Sequence, residues 1–132
     1  MRTLALAVAV VTSAVVVVSA ASGAAKTGFE LGRSGGNIQP FTLRIETTGV
    51  VHASGAAPAH RSRLTKEQLA AINRSAFVNN FQTLPAVTAC PDTFPDIAAQ
   101  VIRVGARTVR VHGSCLPRFN RLWAALNRAV TP

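Results

Sequence analysis

Ile97-Ala98-Ala99-Gln100-Val101-Ile102-Arg103-Val104-Gly105-Ala106-Arg107-Thr108-Val109-Arg110-Val111-His112 is the stretch that decides the fold. Two runs rich in β-branched residues flank Gly105-Ala106, and a glycine at the first of two turn positions suits a type II′ hairpin. A two-residue turn fixes the register. Val104 opposes Arg107, Ile102 opposes Val109 and Gln100 opposes Val111 on one face; Arg103 opposes Thr108 and Val101 opposes Arg110 on the other. The first face carries the large apolar residues and is the predicted core face. Strands that arrive as hairpins build an antiparallel sheet.

Upstream, Phe29 to Arg33 alternates apolar and polar residues, and Ser34-Gly35-Gly36-Asn37 reads as a turn. Phe41-Thr42-Leu43-Arg44-Ile45-Glu46 is the clearest strand, returned through Thr47-Thr48-Gly49 into Val50–Ala53. Ser54 to Arg63 is a Gly-, Ala- and Pro-containing connector. A helix then starts at Leu64-Thr65-Lys66-Glu67-Gln68-Leu69, where Thr65 and Gln68 match a capping box and Leu64 and Leu69 sit at the staple positions. Leu69, Ile72, Ala76 and Phe77 are its expected apolar stripe, and Asn79-Asn80 its end. Asn73-Arg74-Ser75 fits a glycosylation acceptor but falls mid-helix and is discounted. Leu84 to Asp96 reads as a long loop containing Pro85, Pro91 and Pro95.

Downstream, Pro117 suits a first helical position. Phe119, Leu122, Trp123, Leu126 and Val130 follow at i, i+3, i+4, i+7 and i+11, with Arg118, Arg121 and Arg128 opposite. The element order is therefore β-β-β-α-β-β-α. The predicted fold is an α+β sandwich, an antiparallel sheet of about five strands with two helices packed on one face and the other face open. No internal repeat is present.

At the N-terminus, Arg2 precedes an apolar run from Leu4 to Val18 and then Ser19-Ala20-Ala21-Ser22-Gly23-Ala24-Ala25. A positive start, a short apolar core and a small-residue exit are the parts of a secretory signal peptide. The run of 15 residues is shorter than the roughly 18 to 20 that span a bilayer; the other reading is an uncleaved anchor. Residues 1–25 are thus assigned as signal peptide and 26–132 as one exported domain, with cleavage between Ala20 and Ala25. The two cysteines, Cys90 and Cys115, then read as one disulfide of an oxidising compartment, the alternative being two free thiols. The histidines (His52, His60, His112) have no zinc-like spacing to either cysteine.

The chain carries a net charge of +9, and +8 once Arg2 leaves with the signal. Nearly all the positives are arginine. Such a surface attracts nucleic acid, anionic lipid or acidic polymer, although GC-rich coding produces the same composition. The open sheet face would present Arg44, Arg103 and Arg110. It offers no aromatic platform for stacking bases, which argues against specific nucleic-acid recognition.

Catalysis is poorly supplied. The carboxylates after residue 40 are Glu46, Glu67, Asp92 and Asp96. Asp92 and Asp96 read as solvated loop residues, with paired acids or calcium ligands as the alternative. A Ser34, His112 and Asp92 trio can be drawn, but Ser34 lacks a nucleophile-elbow sequence. The reading is of a non-enzyme, without cofactor or metal.

Arg33-Ser34-Gly35-Gly36, Cys90-Pro91-Asp92-Thr93-Phe94 and a closing amphipathic helix resemble the emfourin-like proteins, small bacterial inhibitors of thermolysin-like metalloproteases. The central hairpin, Phe41–Ile45 through Gly49-Val50, is similar to a related group of secreted bacterial domains of unknown function. The likeness covers most of residues 29–130 in element order, through motifs of a few residues each. The signal peptide, disulfide and strong basicity depart from the inhibitor pattern. The resemblance implies an inhibitor whose partner-binding residues are Ser34, Gly35, Gly36 and Asn37 together with Pro91, Asp92, Thr93 and Phe94. Phe94 would be the apolar anchor, and Asp92 would orient the loop or approach a metal. The partner would be a secreted metalloprotease and the domain a monomer. The competing expectation is a cell-envelope domain held by charge to anionic polymer or lipid, with the same loop serving as a stapled connector.

Overall fold

The computed structural model describes residues 28–132. The predicted signal segment, residues 1–25, lies outside the described residues. The elements are β1 (Phe29–Ser34), β2 (Phe41–Ile45), β3 (Val51–Gly55), α1 (Lys66–Val78), a 3-10 turn (Phe81–Thr83), β4 (Val87–Ala89), β5 (Ala99–Val104), β6 (Arg107–His112) and α2 (Pro117–Val130). The strands form one sheet in the order β3-β2-β1-β5-β6-β4.

The α+β architecture is as expected, and the β5–β6 register matches the sequence reading pair for pair, from Val104↔Arg107 to Gln100↔Val111. Gly105 takes a φ of 59° at the turn. β1 lies at the centre, antiparallel to β2 through Leu31↔Leu43 and to β5 through Leu31↔Ile102. These three side chains are almost wholly buried, as are Phe29, Ile45 and Val109 on the same face. Each such burial contributes roughly 1.5–3 kcal/mol.

Both helices pack on this face. Ile72 from α1 meets Phe119, Leu122, Trp123, Leu126 and Val130 from α2 in one core cluster. The capping box forms: Gln68 N–H donates to Thr65 Oγ1 (3.1 Å) and Thr65 N–H donates to Gln68 Oε1 (2.8 Å). Arg121 Nε donates to Oδ1 of the buried Asn79 at the end of α1 (2.8 Å). Gln68 and Ala71 of α1 line one groove with Ala125 and Arg128 of α2, so the helices run antiparallel.

The structure corrects the reading in four places. The sheet, expected to have about five antiparallel strands, has six, and one of its pairs is parallel. β4, inside the segment read as a long loop, pairs in parallel with β6 through Thr88↔Val111. Three residues bounded by prolines are too short to show a period, and a parallel partner leaves no hairpin signal. Phe77 does not belong to the α1 stripe; it is 85 % exposed, because five residues beyond Ile72 is about 140° around the helix. Ile97 does not begin β5, which starts at Ala99. Val50 makes an isolated bridge to Arg63, so the returning strand starts at Val51.

Candidate functional site

At one end of the sheet the Ser34–Asn37 turn meets the Asp96–Ala98 end of the loop that carries Pro91–Phe94, rather than Pro91–Phe94 itself. After β1 the chain turns through Gly35-Gly36, and Asn37 N–H donates to the Asp96 carbonyl (2.9 Å). Gly36 has a φ of +61°, and a Cβ there would lie 2.6 Å from Ala98 N and collide with the Asp96 carbonyl. Only glycine permits both that φ and that approach. The turn Ser34–Asn37 and the segment Asp96–Ala98 are therefore backbone against backbone.

The loop between β4 and β5 is held at both ends. The Cys90–Cys115 disulfide forms, with Cα atoms 5.5 Å apart, and ties the loop to the residue pair preceding α2. Cys90 N–H donates to the His112 carbonyl (2.8 Å), extending the β4–β6 ladder, and Ile97 N–H closes a turn on the Phe94 carbonyl (3.1 Å). A Cβ on Gly113 would lie 2.5 Å from that of Cys90, so the loop sits directly on the β6–α2 connection. Asp92 is left-handed, with a φ of 58°, a conformation Asp tolerates better than most residues. Pro91, Asp92 and Phe94 are exposed and Thr93 is half-buried. Phe94 is 70 % exposed and Ile97 47 %. The result is a large apolar side chain presented from a loop anchored by a covalent bond and by backbone hydrogen bonds.

The Ser34, His112 and Asp92 trio does not assemble as a relay. Ser34 Oγ accepts from Arg110 (2.5 Å), and His112 Nε2 donates to the Ile97 carbonyl (2.7 Å). Among the described residues no three His, Cys, Asp or Glu side chains cluster as metal ligands. The His112–Ile97 bond escaped the sequence reading, because Ile97 looked like part of a strand rather than a loop folded back on β6.

The open sheet face presents Arg44, Arg103 and Arg110, all exposed. The register sets His52, Arg44, Glu30, Arg103 and Thr108 in one row across five strands. Acids interrupt the positive charge. Glu30 lies 3.8 Å from Arg103, and Glu46 Oε1 lies 2.8 Å from His52 Nε2. The His52 hydrogen bond, helped by Thr48 and Arg44, holds the Glu46 carboxyl below its ordinary value. Glu67 is also lowered, by its own backbone N–H and by Thr65 at the start of α1. An open cleft of about 460 Å³ lies beside this row, lined by Gly28, Glu30, Arg44, Thr47, Arg103 and Gly105. It is at the opposite end of the sheet from the loop, since Gly28 precedes β1 and Ser34 ends it.

Comparison with protein-family models, curated proteins and solved structures finds no match.

Proposed function

We propose that the chain is an exported, non-enzymatic domain that docks on and inhibits a secreted thermolysin-like metalloprotease. Its contact surface is the Pro91–Phe94 loop with the adjoining Ser34–Asn37 turn. One observation carries the reading: Phe94 stands 70 % exposed on a loop fixed by Cys90–Cys115 and backed by the Asn37–Asp96 backbone bond. A loop already held in place loses little entropy on docking, and a central aromatic anchor is the usual source of interface energy. The resemblance of Arg33–Gly36 and Cys90–Phe94 to emfourin-like inhibitors supports the choice of partner. The disulfide, an oxidising-compartment feature, and the Arg2, Leu4–Val18 and alanine-rich segment support export.

The test is peptide hydrolysis by thermolysin-like enzymes with the chain in excess, at about 0.05 M and about 0.5 M salt. Inhibition through a packed apolar loop persists at high salt, where exposed charge interactions are screened. Absence of inhibition from every such enzyme, with salt-sensitive retention on anionic polymer, would replace this reading with envelope binding.

A further inference from the structure

The helix layer carries a charge distribution the rest of the surface lacks. α1 and α2 contain Lys66, Arg74, Arg118, Arg121 and Arg128 against one acid, Glu67; the other four acids lie on the sheet or its loops. The two ion pairs found among the described residues, His52–Glu46 and Arg103–Glu30, are both on the sheet side. Arg74, Arg121 and Arg128 are exposed. Arg121 and Arg128 stand two turns apart on α2, so they share a stripe.

Two adjacent large apolar residues share this outer surface. Phe77 is 85 % exposed and Val78 66 %. Arg74 is three and four residues before them, so all three are neighbours on the solvent face of α1. The Arg121–Asn79 bond brings Arg121 to the same end, while Arg128 lies beside Gln68 and Ala71 toward the other end of α1. Ala70, Ala71 and Ala124 on these helices are exposed and short, and the one acid, the exposed Glu67, stands two turns before Arg74.

We propose that this outer helix face docks on the surface of a bilayer containing anionic phospholipid, with Arg74, Arg121 and Arg128 over headgroup phosphates and Phe77 and Val78 inserted at the headgroup–acyl boundary. Charge complementarity selects an anionic partner. The paired apolar side chains select a bilayer over a polysaccharide or a nucleic acid, because only a bilayer offers an apolar phase beneath its charges. No helix among the described residues is long and apolar enough to cross a membrane. The Pro91–Phe94 loop lies on different elements, and this proposal stands apart from the inhibitor reading.

The experiment is co-sedimentation of the protein recovered from the medium of an expressing host with neutral phosphatidylcholine vesicles and with vesicles holding about 30 mol % phosphatidylglycerol. Partitioning onto the anionic vesicles should be at least tenfold stronger, and should fall as salt rises. Each arginine near such a surface is worth roughly fivefold, so Arg74→Gln with Arg128→Gln should cost about 25-fold. Phe77→Ser should cost about tenfold. These positions are exposed, so Trp123 emission in the variants should match the parent and report an intact fold. Arg44→Gln with Arg103→Gln, on the opposite face, should bind as the parent does. Equal partitioning onto neutral vesicles, unchanged binding of the Arg74/Arg128 pair, or preference for soluble polygalacturonate over vesicles would overturn the proposal.

Discussion

Replacing Gly35 and Gly36 one at a time by alanine isolates the contact between the turn and the loop. Both have positive φ, 76° and 61°, so each alanine carries a left-handed penalty of about 1–2 kcal/mol. Loss of glycine freedom in the unfolded chain offsets about 0.4–1 kcal/mol of it. At Gly35 little else changes, since the nearest atom a Cβ meets is Arg110 Nη2 at 3.7 Å. At Gly36 the Cβ runs into the backbone of Asp96–Ala98, with Ala98 N at 2.6 Å. The turn must then lift off, and the Asn37 N–H to Asp96 bond (2.9 Å) is lost at about a further 1–3 kcal/mol. Gly35→Ala should therefore cost about 1 kcal/mol and Gly36→Ala about 2–4 kcal/mol in urea unfolding followed by Trp123 fluorescence. Amide exchange at Asn37 should accelerate in Gly36→Ala alone. Equal losses in the two variants, or an unchanged Asn37 amide, would refute the juxtaposition of turn and loop.

Trp123 is buried and stacks on Phe119, with ring centroids 6.3 Å apart, while Arg33 lies over its ring at 5.6 Å; Trp123→Ala should cost about 3–5 kcal/mol by far-UV circular dichroism in urea, and a loss under 1 kcal/mol would contradict its placement. Cys90→Ser opens a 25-residue cross-link and should lower stability by roughly 2–5 kcal/mol, with non-reducing peptide mapping of the parent linking Cys90 to Cys115. Glu46 is lowered from its ordinary value of 4.5, so its contribution is present above that pH and fades as pH falls through the lowered value. Carboxyl NMR titration should place its midpoint below the ordinary one, and His52→Ala should move it back up.

Local pattern dictates much of this fold. The two-residue turn at Gly105-Ala106 and the alternation on each side of it determine the β5–β6 pairing, and α2 is readable because its apolar residues keep strict helical spacing. The Thr65/Gln68 cap is equally local. What escaped is non-local or too short. β4 is three residues whose partner is parallel and more than twenty positions away. The exposure of Phe77 shows the weakness of reading every apolar residue into a stripe when its angular position disagrees. For the candidate site, Gly35-Gly36 and the proline loop were legible as a turn and a loop, but their meeting depends on β1 lying beside β5, which no local pattern states. The Ile97–His112 bond depends on the same tertiary placement.

The most direct test of the central claim is the inhibition constant of Phe94→Ala against a thermolysin-like enzyme, measured beside the parent and Arg103→Ala. Truncating an exposed anchor costs about 2 kcal/mol or more when it is central to an interface, so inhibition should weaken by roughly thirtyfold in Phe94→Ala. The thermal midpoint should stay near that of the parent, because Phe94 supports no core residue, and Arg103→Ala should inhibit as the parent does. Undiminished inhibition by Phe94→Ala, or a parent that inhibits no such enzyme, would contradict the account.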